Sequence, residues 1–342
     1  MFIVNSYGLA VFFCFIIMLC WGSWGNTQKL AAKSWRYELF YWDYVIGMVI
    51  FSLLLALTLG TFGPAGRPFF QDIAQADGSA ILSIVIGGVI FNLSNICLSA
   101  STSIAGMSVA FPVGCGLALV LGVINNLRVE AAQGSLKSNL TLLGLGVALV
   151  VIAVILNGVA SGKKAGNADI SKADQRKGII LAVVAGVVMS FFSSFVMKAM
   201  DLNDFANMQA GRVGPYTAIV VFSLAVLASH FVFGPIFMKW PFQGAPVSMG
   251  EYFKGNAKTH LVGMLGGCIW CLGTALSYIA AGKAGASVSY ALGQGAPMVA
   301  AIWGVFVWKE FKGSNKTVYS LLGAMFCFFL VGLGLIVAAG AN

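Results

Sequence analysis

The stretch "GASVSYALGQGAP" (285–297) lies in an apolar run, yet it carries two serines, a tyrosine, a glutamine, a proline and three glycines. Polar groups and loose backbone are costly in hydrocarbon and are tolerated where they line a cavity or are buried in protein. The same pattern stands 179 residues earlier as "GMSVAFPVGCGLA" (106–118). Gly106, Ser108, Val109, Gly114 and Gly116 return as Gly285, Ser287, Val288, Gly293 and Gly295, and Phe111 is answered by Tyr290. Further on, "TLLG" (141–144) returns as "SLLG" (320–323), while Gly8 and Gly178 open corresponding apolar runs followed by Lys29 and Lys198. The chain is written in two halves.

Composition says where those halves reside. Of 342 residues, 59% are hydrophobic and 9% charged, against about 25% charged in a soluble domain; the mean hydropathy is +0.90. Charge-free windows run 1–28, 44–66, 78–127, 138–162, 178–197, 213–229, 261–282, 284–308 and 317–342. A helical span takes about 20 residues, so the third window holds two spans and the total is ten. Barrel strands alternate apolar and polar residues, whereas "LTLLGLGVALVVIAVILNG" (140–158) is apolar on every face. The expected fold is an all-α polytopic membrane protein with ten transmembrane helices in a 5+5 inverted repeat. Residues 1–158 form the first five-helix repeat, 159–177 a cytoplasmic linker and 178–342 the second repeat. Five is odd, so the copies lie upside down to one another, as in secondary transporters with a solute site near the midplane.

The net charge of +9 reads as loop topology and not as nucleic-acid binding. Fourteen of the twenty basic residues fall in loops after odd-numbered spans and six after even ones. The positive-inside rule then makes the odd loops cytoplasmic, with residues 8–27 an uncleaved first span and both termini on the non-cytoplasmic side of the cytoplasmic (inner) membrane. All seven cysteines lie in apolar windows, which argues against a disulfide framework. Cys268 and Cys271 form a lone CxxC with no second pair to complete a metal site. A Walker A loop needs four residues between its glycines; "GVASGKK" (158–164) has three. No metal, cofactor or catalytic grouping is expected, so the chain is read as a carrier and not an enzyme.

Candidate solute-binding residues follow from polarity and aromaticity at membrane depth. Asn92, Asn95 and Gln294 bring amides into apolar windows, while Gly114 and Gly293 loosen the paired segments that hold Phe111 and Tyr290. Trp21 and Trp24 share one helical face, and Trp270, Tyr278 and Trp303 lie deep in their windows. Such a lining stacks on and hydrogen-bonds a planar or hydroxyl-rich neutral solute, though glycines also serve close helix packing and tryptophans interfacial anchoring. An ionisable residue inside the membrane is a functional candidate by default. Asp43, in "FYWDYVIG" (40–47), qualifies as a proton site or as a carboxylate pairing with Lys29 or Arg36, and Glu310 is the second candidate. The other nine acids read as loop or loop-edge residues.

The ten-helix 5+5 arrangement without a large soluble domain resembles the drug/metabolite transporter superfamily. Within it, residues 267–325, with "GASVSYALGQGAP" and "WGVFVWKEFKGSNKTVYSLL", look like the ureide permease family, as do "CWGSWGN" (20–26), "YWDY" (41–44) and residues 92–122. Glucose/ribose porters and the rhamnose–proton symporter resemble it more distantly. The resemblance implies alternating-access import of a small neutral metabolite, with protons as coupling ion: ureides such as allantoin, nucleobases such as uracil, or sugars. By position it adds Gly22 and again marks Trp24, Asp43, Gly293, Trp303 and Glu310. The central loop is shorter than in plant members, so the substrate is left open. An exporter of the same fold is the alternative, and a monomer or homodimer in the lipid bilayer the expected assembly.

Overall fold

The computed structural model describes residues 1–31, 35–105, 107–165 and 171–341, and their side chains except those of 107–111 and 165. Along the chain run α1 (Tyr7–Ala31), α2 (Tyr37–Leu57), α3 (Phe69–Ala74), α4 (Gly78–Ala105), α5 (Met107–Gln133), α6 (Leu140–Ala165) and α7 (Lys172–Ala199). There follow α8 (Pro215–Lys239), α9 (Met249–Phe253), α10 (Ala257–Ala284), α11 (Ala286–Gly293), α12 (Ala296–Ile302), a π-helical turn (Trp303–Val307) and α13 (Lys316–Gly340). Ten spans long and apolar enough to cross a membrane are present among the described residues. The short α3 and α9 are connectors, and α11, α12 and the π turn together make the ninth span. No strand occurs among the described residues, so the protein is an all-α polytopic membrane protein. Phe12, Leu19, Ile50, Phe231 and Leu330 are all more than half exposed, the surface that a bilayer, and not water, accepts.

Each helix starts and stops for local reasons. The side chains of Asn256, Asn315 and Ser171 accept the N–H groups of Thr259, Val318 and Asp174 and so cap α10, α13 and α7, satisfying donors that a helix start leaves free. Both α6 and α7 run into the polar 159–177 stretch, to Ala165 and from Lys172. Gly285, with φ +83°, which only a residue without Cβ adopts readily, turns the chain from α10 into α11, and α11 stops at Gly293 before α12 starts at Ala296.

The packing has a symmetry of its own. Helix α4 packs on α7, α1 on α10, α6 on α13, α2 on α10 and α8 on α4. Numbered as spans, these are 3 on 6, 1 on 8, 5 on 10, 2 on 8 and 7 on 3. Moving every span by five returns the same set. Close approach of α10 to α2 depends on Gly263 and Gly267, spaced as a GxxxG pair. A Cβ at Gly267 would collide with the carbonyl of Tyr44, one at Gly263 with Asp43, and one at Gly47 with the backbone of Met264. Small residues let backbones touch in this way where lipid supplies no hydrophobic drive between helices.

The end of the bundle opposite the 159–177 stretch is sealed by interlocked loops from both halves. The Asp77 N–H donates to Gly211 O at 2.9 Å, the Gly211 N–H to Gln75 Oε1 at 2.7 Å and Arg67 to Met208 O at 2.9 Å. Asp72, 2% exposed, accepts from the Gly214 N–H at 2.8 Å and faces Arg67 at 3.8 Å. Burial raises the Asp72 carboxyl above its usual range, against the pull of Thr217, Gly214 and Arg67. The folded state therefore binds this proton more tightly than the unfolded chain, and the Asp72 contribution to stability falls as pH rises between the two values. Asp72→Asn is expected to remove this slope. Melting of the wild type and the variant in detergent, followed from pH 7 down to 4, should show the wild type gaining relative to the variant on acidification. A constant difference would contradict the assignment.

Candidate functional site

At mid-bundle the two halves meet in a cluster of rings. Trp21 of α1 lies parallel to Trp270 of α10 at 6.4 Å and edge-on to Tyr290 of α11 at 6.3 Å. Phe91, Phe222 and Phe192 close around them, with Phe91 4.3 Å and Phe222 5.9 Å from Trp270, and Phe192 6.4 Å from Tyr290. The indole N–H of Trp21 donates to Thr274 Oγ1 at 3.2 Å, and the Tyr290 hydroxyl donates to Ala118 O at 3.2 Å. Gly293 is small because the Trp21 ring lies against it; a Cβ there would meet the ring at 2.7 Å. Tyr278 joins edge-on to Phe222 at 6.4 Å.

Toward the 159–177 end from these rings, a small cleft of about 40 Å³ opens between α1, α5, α6 and α12. Its polar lining is Asn26, Asn157, Ser161, Lys29 and Glu310, beside Trp308. Asn26 is five residues from Trp21, roughly 7.5 Å along the axis of α1. Trp308 donates to Asn26 Oδ1 at 2.7 Å and Trp303 to Ser23 Oγ at 2.9 Å, so the ninth span is hooked to α1 along the cleft wall. Glu310 and Lys29 form an ion pair at the mouth, each between a third and two fifths exposed.

A second polar centre lies between α2, α9 and α10 at the same end. Asp43 is 0% exposed. Its Oδ1 accepts from the Tyr252 hydroxyl at 2.6 Å and faces His260 Nδ1 at 2.8 Å, while the Trp35 indole donates to Oδ2 at 3.3 Å. His260 keeps 20% of its side chain exposed, so it links the buried carboxylate to the surface. Tyr252 lies outside the spans, and burial together with Asp43 raises its phenol above the ordinary value; it remains a donor.

The sequence candidates thus separate. Trp21, Trp270, Tyr278, Tyr290 and Gly293 converge on the ring cluster; Glu310 lines the cleft, and Trp303 bonds Ser23 of α1 without lining it. Gln294, 7% exposed, caps α11 at the break between α11 and α12. Trp24 turns to Tyr44 of α2 at 5.1 Å. Asn95 donates to the Tyr41 hydroxyl at 3.1 Å, and Asn92 to Ser229 Oγ at 2.8 Å, both on the α2–α4–α8 side. Gly114 lies at a helix contact, beside Leu98 and Ala182. The Phe111 side chain lies outside the described residues. Asp43 pairs with neither Lys29 nor Arg36; Arg36 holds Glu38 instead. Sequence reasoning passed over Asn157, Ser161 and Trp308 in the cleft and His260 beside Asp43. Asn157 carried a readable signal, an amide inside an apolar window.

Ten spans enclosing an amide- and aromatic-lined cleft make the build of a membrane carrier for small solutes. Comparison with known proteins narrows the class. Residues 40–177 and 168–339 match the ureide permease family. Ureide permease 1 and ureide permease 2 of Arabidopsis thaliana are 23% and 22% identical, with all of both chains covered. An L-rhamnose-proton symporter of Yersinia pestis is 25% identical over 173 residues, covering 49% of this chain and 48% of its own. One solved crystal structure has the same fold, with a TM-score of 0.56 at 14% identity over 96% of each chain. The chain belongs to the ureide permease family. It is a multi-pass membrane transporter of small metabolites and not an enzyme.

Proposed function

We propose that the protein imports a small, neutral, polar metabolite across the cytoplasmic membrane with protons, by alternating access between two inverted five-helix repeats. The cleft carries the reading: its polar walls are Asn26, Asn157 and Ser161, its rings are Trp308 and Phe311, and its charged residues, Lys29 and Glu310, neutralise each other. That chemistry suits ring faces and hydrogen bonds without net charge, as in a ureide, a nucleobase or a sugar. The relatives support the same range, since they are named for ureides and for L-rhamnose with protons. The exchange symmetry of the helix contacts supports the two repeats, residues 1–158 and 178–342 about the 159–177 linker. The basic-loop bias supports a cytoplasmic side at the open cleft and termini on the other. Asp43, with His260 as its link to the surface, is assigned the proton, because a buried carboxylate reached through a partly exposed histidine can be loaded from one side.

Asn157 gives a direct test. It lines the cleft with its amide, and a hydrogen bond to a solute contributes about 1–1.5 kcal/mol, or roughly tenfold in affinity. Asn157→Leu keeps the volume and removes the amide. Equilibrium binding of labelled allantoin, uracil and rhamnose to the purified protein should show one ligand whose affinity falls about tenfold in the variant. Undiminished binding of that ligand would take the solute out of this cleft.

A further inference from the structure

Glu130 reads in the sequence as a loop-edge acid. In the structure it stands in the last turn of α5 and is 2% exposed. Its carboxylate reaches across to the other half at the start of α11. There Ser287 Oγ donates to Oε2 at 2.6 Å and the Ser287 N–H to Oε1 at 3.3 Å. Gly285 leaves the space: a Cβ would meet Oε1 at 2.5 Å. A negative charge at a helix start pairs with unsatisfied N–H groups and the positive end of the helix dipole. The contact lies at the sealed end of the bundle, and it holds the first segment of the broken ninth span to the first half.

The device is written twice. At the 179-residue offset Ser287 answers Ser108, and Glu130 falls on Lys309. The π-helical turn Trp303–Val307 takes up one extra residue, as π turns do. That places Glu310, rather than Lys309, where Glu130 stands in the first half. The following turn restores the register, since Gly134 and Gly313 pair again at 179 and both have positive φ, +65° and +81°. In the present state the two glutamates differ as a two-state device requires. Glu130 is docked at the closed end, and Glu310 is partly exposed at the open mouth, held by Lys29.

We propose that Glu130 is the latch of the closed end, its carboxylate fastening α11 to α5, and that Glu310 is its counterpart at the open end, which leaves Lys29 when the cleft closes. The proposal rests on the alternating-access reading and adds the residues that hold each end. Hydrogen exchange of the intact, purified protein tests it without any solute, because amide protection reports local opening. Glu130→Gln, which keeps the shape and removes the charge, is expected to speed exchange of 286–293 about tenfold, as loss of a charged hydrogen bond does. It should also slow exchange along 297–311 as the cleft closes. Glu310→Gln should do the reverse, protecting 286–293. If Glu130→Gln does not fold, Ser287→Ala removes the same contact from the other side and should give the same pair of changes. Faster exchange confined to 286–293, or none, would overturn the latch as a gate and leave it a plain helix cap. That result would not touch solute uptake, and failure of uptake with the reciprocal pattern intact would instead remove the transport reading.

Discussion

Asp43→Asn is expected to abolish gradient-driven accumulation while leaving the carrier folded and able to equilibrate its solute. An inward gradient of one pH unit corresponds to about 1.4 kcal/mol per proton, enough to concentrate a solute up to roughly tenfold at one-to-one coupling. The wild type should approach that ratio and the variant should stop at unity. The reason is local. Asp43 is wholly buried, with Tyr252, Trp35 and His260 as its partners, and through His260 it has a titratable neighbour that is partly open to the surface. Asparagine keeps an acceptor for the Tyr252 hydroxyl, so the fold is preserved, and it carries no exchangeable charge. Accumulation by Asp43→Asn in reconstituted vesicles equal to that of the wild type would move the coupling elsewhere, to Glu310 or Glu130.

The second large effect is structural. Gly267→Val should yield no folded, monodisperse protein. Its Cβ would strike the Tyr44 carbonyl, which belongs to the backbone of α2 and cannot turn aside as a side chain can. Overpacking a tight core costs about 1–3 kcal/mol when side chains absorb it, and here two helix axes must part. Separation of α2 from α10 would also pull His260 from Asp43, so any protein that does fold should show uncoupled transport. Gly323→Val serves as the control, because nothing lies within 4 Å of its Cβ position; it should behave as wild type. Normal size-exclusion behaviour of both variants would mean that the α2–α10 contact is looser than described.

The parts of this architecture legible in the sequence are those carried by local pattern. Charge-free windows mark the spans because desolvation excludes charge from them, residue by residue. The broken segment 285–297 is visible because its glycines and polar groups stand out against hydrocarbon, and its copy at 106–118 doubles the signal. Convergence is harder to read. Asp43 and His260 are 217 residues apart in sequence, and each looks like a span-edge residue until α10 is packed on α2. Glu130 was masked by Arg128 and Lys137, which give its surroundings the look of a loop; its partner, Ser287, belongs to the other half. Asn92 and Asn157 carried the same amide signal. Asn92 turned toward α8, and Asn157 toward the cleft, because which face of a helix meets the cavity depends on its neighbours. Gly114 illustrates the same limit for glycine, whose smallness serves a helix contact there and accommodates an indole at Gly293.

The measurement that bears most directly on the whole account is uptake by the purified protein in proteoliposomes with an imposed inward proton gradient. Labelled allantoin, uracil, glucose and rhamnose are followed side by side, and the gradient is then collapsed. The account predicts that one of these neutral solutes accumulates above its external concentration and drains when the gradient is lost. Gradient-independent equilibration, or no uptake of any of them by vesicles whose protein is demonstrably folded, would contradict proton-coupled import.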